Sequence, residues 1–261
     1  MKKSLVWITG SILALFVLPA VLGLAHRAYL GHPHWREASH APTGLSPAPQ
    51  AHPDAVVQVF AARTWGTRGG VAVHTWIATK RQGDDHYRRH EVIGWRLRRG
   101  IPALASGRGN PDAQWFSNPP QLLVDRRGEG VEAIIDAVEA AVASYPYASQ
   151  YRTWPGPNSN TFTAHVGRQV PALGLDLPPT AIGKDFLPNG AMAARSPGGG
   201  LQVSFFGALG LLASPREGVE VNMGSLVAGV RFWPPAIKLP GVGVWPATSL
   251  GAGAAEPKST R

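Results

Sequence analysis

His74, Glu91 and Ser159 are the side chains of this chain with a plausible route to covalent chemistry. Ser159 stands in the run Asn158-Ser159-Asn160-Thr161-Phe162, just after the proline-rich turn Trp154-Pro155-Gly156-Pro157. A hydroxyl at a helix start meets unpaired backbone N–H groups and the positive end of the helix dipole. Those groups could receive an oxyanion near Asn160. They cannot ionise a serine at neutral pH, so Ser159 needs a general base within hydrogen-bond reach. His165 is six residues further on, about 240° around the same helix, and points elsewhere. That leaves His74.

His74 falls in the alternating stretch Val71-Ala-Val-His-Thr-Trp-Ile-Ala-Thr79, which reads as a strand with His74 and Trp76 on one face. Residues 88–97 read as its hairpin partner. A register placing Thr79 near Arg88 sets Glu91 opposite Trp76, diagonal to His74 and about 7–8 Å away, where a carboxylate could orient the imidazole. A slip of one residue would reverse that face. Ser159 therefore has three readings: helix cap or inactive remnant, working nucleophile, or another role in a cleft. Asn and Ser are both preferred caps.

The order His74 on a strand, then Asn158-Ser159-Asn160-x-Phe162 at a helix start, resembles circularly permuted papain-like proteins such as the PPPDE peptidases and the lecithin–retinol acyltransferase group. The resemblance covers about residues 70–170. It implies His74 as base and Ser159 in the place of the family's cysteine, with Asn158, Asn160 and Phe162 matching that cysteine's neighbours. Asn158, Asn160 and Trp76, which shares the face of His74, are the candidate binding residues. This chain has no cysteine at all. The whole chain also resembles an uncharacterised family of proteobacterial membrane-anchored proteins, classed as a domain of unknown function.

The first 25 residues set the compartment. Lys2 and Lys3 precede the charge-free stretch Leu5 to Ala25. As a helix this stretch is roughly 31 Å long, enough for a bilayer core of about 30 Å. The lysines predict a cytoplasmic start and an exported remainder, a single-pass inner-membrane protein. The rival is a signal peptide cleaved after the small residues Gly23-Leu24-Ala25, which would leave a periplasmic or secreted protein.

Around these features we expect an anchor or signal segment over 1–30, a Pro-rich linker over 31–54, a globular domain over 55–246 and a disordered tail over 247–261. Five of the nine histidines fall between His26 and His52, with no spacing that would fix a metal. The domain reads as α+β: strands at 55–63, 71–79 and 88–97, an irregular stretch at 100–127, helices at 130–145 and 159–169, then strands at 200–213 and 218–229. With the resemblance, this becomes a permuted papain-like antiparallel sheet with packed helices behind one transmembrane helix.

The net charge is +9, with eight Lys or Arg against three acids between Lys80 and Arg108. It favours the lipid bilayer, anionic headgroups or an anionic envelope polymer as partners. No nucleic-acid module and no cofactor motif is present; Ser196-Pro-Gly-Gly-Gly200 lacks the Lys of a phosphate loop. The sequence expectation is a membrane-anchored envelope protein with a non-catalytic, Cys-to-Ser papain-like site used for binding or scaffolding. The alternative is a serine-dependent amidase, esterase or acyltransferase.

Overall fold

A computed structural model describes residues 2–247. The chain opens with α1 (Lys2–Ile12), a π-helical turn (Leu13–Val17) and α2 (Leu18–Leu30), which together form one long apolar helix. Its stretch Thr9–Leu30 is long and apolar enough to cross a membrane, with a mean hydropathy of 1.8. The helix also touches the domain. Gly23 of α2 lies so close to Gly70 and Gly241 that a Cβ there would meet the Gly70 carbonyl oxygen at 2.5 Å. Only hydrogen fits between these backbones.

The first sheet has five antiparallel strands: β1 (Val56–Arg63), β2 (Val73–Lys80), β3 (Arg88–Val92), β4 (Leu104–Arg108) and β5 (Gln121–Arg127). Their order is β4-β3-β2-β1-β5. Thr79 pairs with Arg88 and Ile77 with His90, the hairpin register expected from the sequence. β3 stops at Val92 and continues as a 3-10 turn, Gly94–Arg99. The stretch read as irregular supplies both edge strands, β4 and β5. They are short and lack strict alternation, so period two did not reveal them.

β1 and β2 are buried on both faces, so the polar side chains His74, Thr75 and Thr79 of β2 are buried with the apolar ones. On one face, Val57, Val59, Val73 and Ile77 pack against α3 (Val131–Ala143) and α4 (Ser159–Gln169). The packed stripe of α3 falls at three- and four-residue steps: Val131, Ile135, Val138, Ala141 and Val142 are buried. On the other face, Phe60, Trp76, Tyr87 and Trp115 form a second cluster.

The stretch expected as an extended linker is docked beside that second cluster. Pro42 bridges Ala113, and the Leu45 and Ser46 amides donate to Asp112 at 2.5 and 3.1 Å. Ser46 Oγ donates to Gln58, and Lys80 Nζ donates to the Asp54 carbonyl at 2.6 Å. Prolines keep this segment extended, and its backbone polar groups find partners on the domain.

The second sheet is a seven-stranded antiparallel meander: β6 (Ala193–Arg195), β7 (Leu201–Phe205), β8 (Leu209–Ser214), β9 (Gly218–Met223), β10 (Leu226–Arg231), β11 (Ala236–Leu239) and β12 (Gly243–Trp245). Each of the two long strands expected after residue 200 is a hairpin, turning at Phe206–Ala208 and at Gly224–Ser225. From residue 248 on, the expected tail lies outside the described residues.

One face of this sheet covers a buried ionic layer. Lys238 Nζ bonds Asp176 and Glu220, each at 2.6 Å, and Lys184 bonds the other oxygen of Glu220. Arg231 bonds Asp176 at 3.3 Å, and Asn222 donates to Asp185 at 3.0 Å. Arg168 of α4 donates to Gln202, and Ser196 to Glu217. Burial pushes the Asp176, Asp185 and Glu217 carboxyls up, whereas at Glu220 the burial cost is outweighed by Lys184 and Lys238, which hold it below its ordinary value. The layer holds four acids, Asp176, Asp185, Glu217 and Glu220, and four bases, Arg168, Lys184, Arg231 and Lys238, so its formal charges cancel.

Candidate functional site

The expected site residues fall into two groups on opposite faces of β2. Thr75 faces α4: its hydroxyl is 3.0 Å from Asn160 Oδ1 and 2.9 Å from Thr163 Oγ1. Side chains alternate along a strand, so His74 and Trp76 face the other way. Accordingly, His74 stacks on Trp115, ring centroids 3.7 Å apart, within the second cluster.

On that face, His74 Nε2 and Glu91 Oε2 are 2.8 Å apart. Arg89, on the same side of β3 as Glu91, donates to the same oxygen at 2.9 Å. Its guanidinium lies 4.1 Å from the centroid of Trp76, a cation–π contact in a nearly dry setting. Burial opposes the Glu91 charge, but the His74 hydrogen bond and the Arg89 charge prevail and hold its carboxyl at about 2. Burial lowers His74 despite Glu91. The imidazole is therefore neutral at pH 7 and donates a hydrogen bond from Nε2–H to the carboxylate. Trp95, 45% exposed, stacks on the far side of Trp115 and carries the aromatic ladder to solvent.

On the α4 face, Asn158 caps the helix. Its Oδ1 accepts from the Asn160 amide at 2.9 Å and from the Thr161 amide at 3.2 Å. In return, the Asn158 amide donates to Thr161 Oγ1 at 3.1 Å, closing a capping box. Asn158 Nδ2 donates to the Thr153 and Ile182 carbonyls, and Asn160 Nδ2 to those of Val73 and Ile182. The polar run thus staples the start of α4 to β2 and to the 180–183 loop. Ser159 is 4% exposed, and its carbonyl accepts from Thr75 and Thr163. No hydrogen bond joins its hydroxyl to another group among the described residues.

A family model described as protein of unknown function (DUF3750) matches residues 54–186, just over half of the chain. The chain belongs to this family. No curated protein and no solved structure matches it. The DUF3750 match holds the whole first sheet, α3, α4 and all of His74, Glu91 and Ser159. It begins where the docked 31–54 segment ends, and it stops before the seven-stranded sheet.

Within the DUF3750 region the structure brings His74 and Glu91 together and keeps Ser159 apart from both. Glu91 is closer to His74 than the diagonal spacing of about 7–8 Å between their strand positions, their side-chain ends meeting at 2.8 Å. Trp76, expected to meet a ligand, is wholly buried beneath Arg89. Asn158 and Asn160, expected as binding residues, spend their amides on the fold. Burial lowers His165, whose ring meets Gln169 and the Ala141 carbonyl on the α3 side. Arg89 and Trp115 were missed. The alternation of β3 places Arg89 beside Glu91 and was legible; Trp115 arrives from an irregular loop and was not. Among the described residues, no three His, Asp or Glu side chains gather to hold a metal ion.

Proposed function

We propose that this chain is a membrane-anchored cell-envelope protein whose folded unit is a binding or scaffolding module, not a hydrolase. The single observation that carries this reading is Asn158. Its carboxamide takes the two α4 amides that would otherwise receive an oxyanion. A nucleophile at Ser159 would lack those two amides for an oxyanion and would have no base on its face of β2. On this reading, Ser159 holds the place of a papain-like thiol without its surroundings.

The anchor is the helix spanning Thr9–Leu30, with the domain exported behind it across the inner membrane. The exposed surface around Trp95, with Arg98 and Arg99 beside it, suits an anionic partner: lipid headgroups or an envelope polymer. The test combines two measurements on the full chain in membranes. It should stay in the pellet after alkaline carbonate extraction. A fluorophosphonate probe should label neither the native chain nor Ser159→Ala. Labelling of the native chain that Ser159→Ala abolishes would restore the hydrolase reading.

A further inference from the structure

The seven-stranded sheet is inverted. Its polar face looks into the domain, over the ionic layer, and its apolar face looks out. The register makes this explicit. One row crosses six strands through Trp245, Ile237, Val230, Val219, Ala213 and Leu201, all apolar. The next row carries Val221, Leu211 and Val203. The third carries Met223, Leu209 and Phe205. Leu211 is 60% exposed and Leu201 72%. With strands about 4.8 Å apart and a rise of about 3.3 Å per residue, the face covers roughly 500 Å². That is near the top of what monomers leave exposed. Across β7–β12 it holds no charge; exposed Arg195 of β6 ends the first row beyond Leu201.

We infer that this outward face of β7–β12 lies on the outer leaflet of the membrane that the N-terminal helix spans, with its side chains among the lipid acyl chains.

The inference rests on the anchored reading above and deepens it. Three observations choose lipid as the occupant. The helix leaves the domain on this side: the turn Leu13–Val17 packs on β10. There, Ala228 is buried, although its row partners Leu211 and Val203 are exposed. Phe16, at the contact, lies about halfway along the charge-free stretch Leu5 to Ala25, so the outer half of that stretch runs beside the domain. Ten residues of helix, about 15 Å, correspond to one leaflet's hydrocarbon.

The rim carries aromatics suited to the headgroup boundary: Phe206 at one turn, Trp233, 81% exposed, at the opposite end, and Trp245 on the edge strand. The charges beneath the sheet are met within the layer, apart from Nε and Nη1 of Arg168, which leaves the other face of β7–β12 free to be apolar.

The absence of cysteine in the chain makes a direct test available. Single nitroxide labels go on the full chain through Val203→Cys, Leu211→Cys, Leu15→Cys and Glu129→Cys. The chain is reconstituted in vesicles of phosphatidylcholine and phosphatidylglycerol. Spin relaxation is then measured with oxygen, which partitions into lipid, and with a nickel chelate, which stays in water. Labels at 203 and 211 should respond to oxygen and lose their response to nickel, while the label at 129 keeps it. Nickel access at 203 and 211 equal to that at 129 would overturn the inference. So would shielding from both reagents, which would mean a second copy or another protein on the face. The label at 15 reports the anchor separately: lipid at 15 with water at 203 and 211 removes the docking and keeps the anchor. The reverse pattern removes the anchor and keeps the docking.

Discussion

Asn158 and Thr161 cap each other at the start of α4. The Asn158 carboxamide accepts the Thr161 amide at 3.2 Å, and the Thr161 hydroxyl accepts the Asn158 amide at 3.1 Å. This reciprocal pair occupies the ground on which an oxyanion hole would stand. It turns the most enzyme-like run of the sequence into a structural joint between the helix, β2 and the 180–183 loop.

The joint has a stability signature. Asn158→Ala removes two accepted bonds and leaves the Thr153 carbonyl without its donor, while Ile182 keeps only Asn160. It should cost about 2 kcal/mol or more. Ser159→Ala removes a hydroxyl without a bonded partner and should change stability by about 0.5 kcal/mol or less. Denaturant unfolding of the two variants in the same membrane mimetic checks the contrast. Equal costs would mean that Ser159 has a role the cap does not explain.

On the opposite face, Glu91 holds His74 and Arg89 at one carboxylate. Glu91→Ala leaves a nearly buried guanidinium without its counter-ion and should destabilise by about 3 kcal/mol. Near-ultraviolet circular dichroism should change with it, because Trp76 and Trp115 lose the groups that order their rings. Loss of stability without any near-ultraviolet change would count against the stacked arrangement.

Acid should weaken the domain in two steps. His90 is buried between the Thr79 and Ser106 hydroxyls, and burial lowers it to about 4; His74 is lowered for the same first reason. Unfolded, both titrate near 6.5. The unfolded chain therefore binds more protons between pH 6.5 and about 4, and stability falls as pH falls through that window. The His90 share is about 3 kcal/mol. Glu91 acts lower down: its contribution is complete above about 4.5 and is lost as pH falls towards 2. Melting temperature against pH should drop between 6.5 and 4, and His90→Gln should flatten that limb.

The ionic layer beneath the second sheet is sensitive to single deletions. Lys238 is wholly buried and bonds both Asp176 and Glu220. Lys238→Met leaves two carboxylates without that cation and should cost about 3–5 kcal/mol. If the sheet unfolds apart from the family-matched region, the second-sheet signals in hydrogen exchange should be lost first.

The helix is held by glycine contacts, so Gly70→Val should push it off. A side chain at Gly70 would strike the Gly23 backbone. Protease cleavage between residues 30 and 40 should accelerate in Gly70→Val while the first sheet stays folded. Unchanged cleavage would mean that the helix is held elsewhere.

The sequence by itself determined which local elements form. Period two marked β1, β2 and the β2–β3 register, and that register put Glu91 within reach of His74. Period 3.6 marked α3, the Asn-Ser run marked the start of α4, and the charge-free opening marked the long helix. These are patterns of neighbours, and neighbours suffice to specify them. The tertiary structure decided what faced what. Strand alternation defines two faces but not which one meets a given helix, so nothing local told that Thr75 would take α4 and His74 would take Trp115. The same symmetry hid the inversion of the second sheet: Leu201-Gln-Val-Ser-Phe205 reads alike whichever side turns inward. The buried partners decided it, because Arg168, Asp176, Lys184 and Asp185 come from other parts of the chain and meet the polar side of the sheet only once the chain has folded.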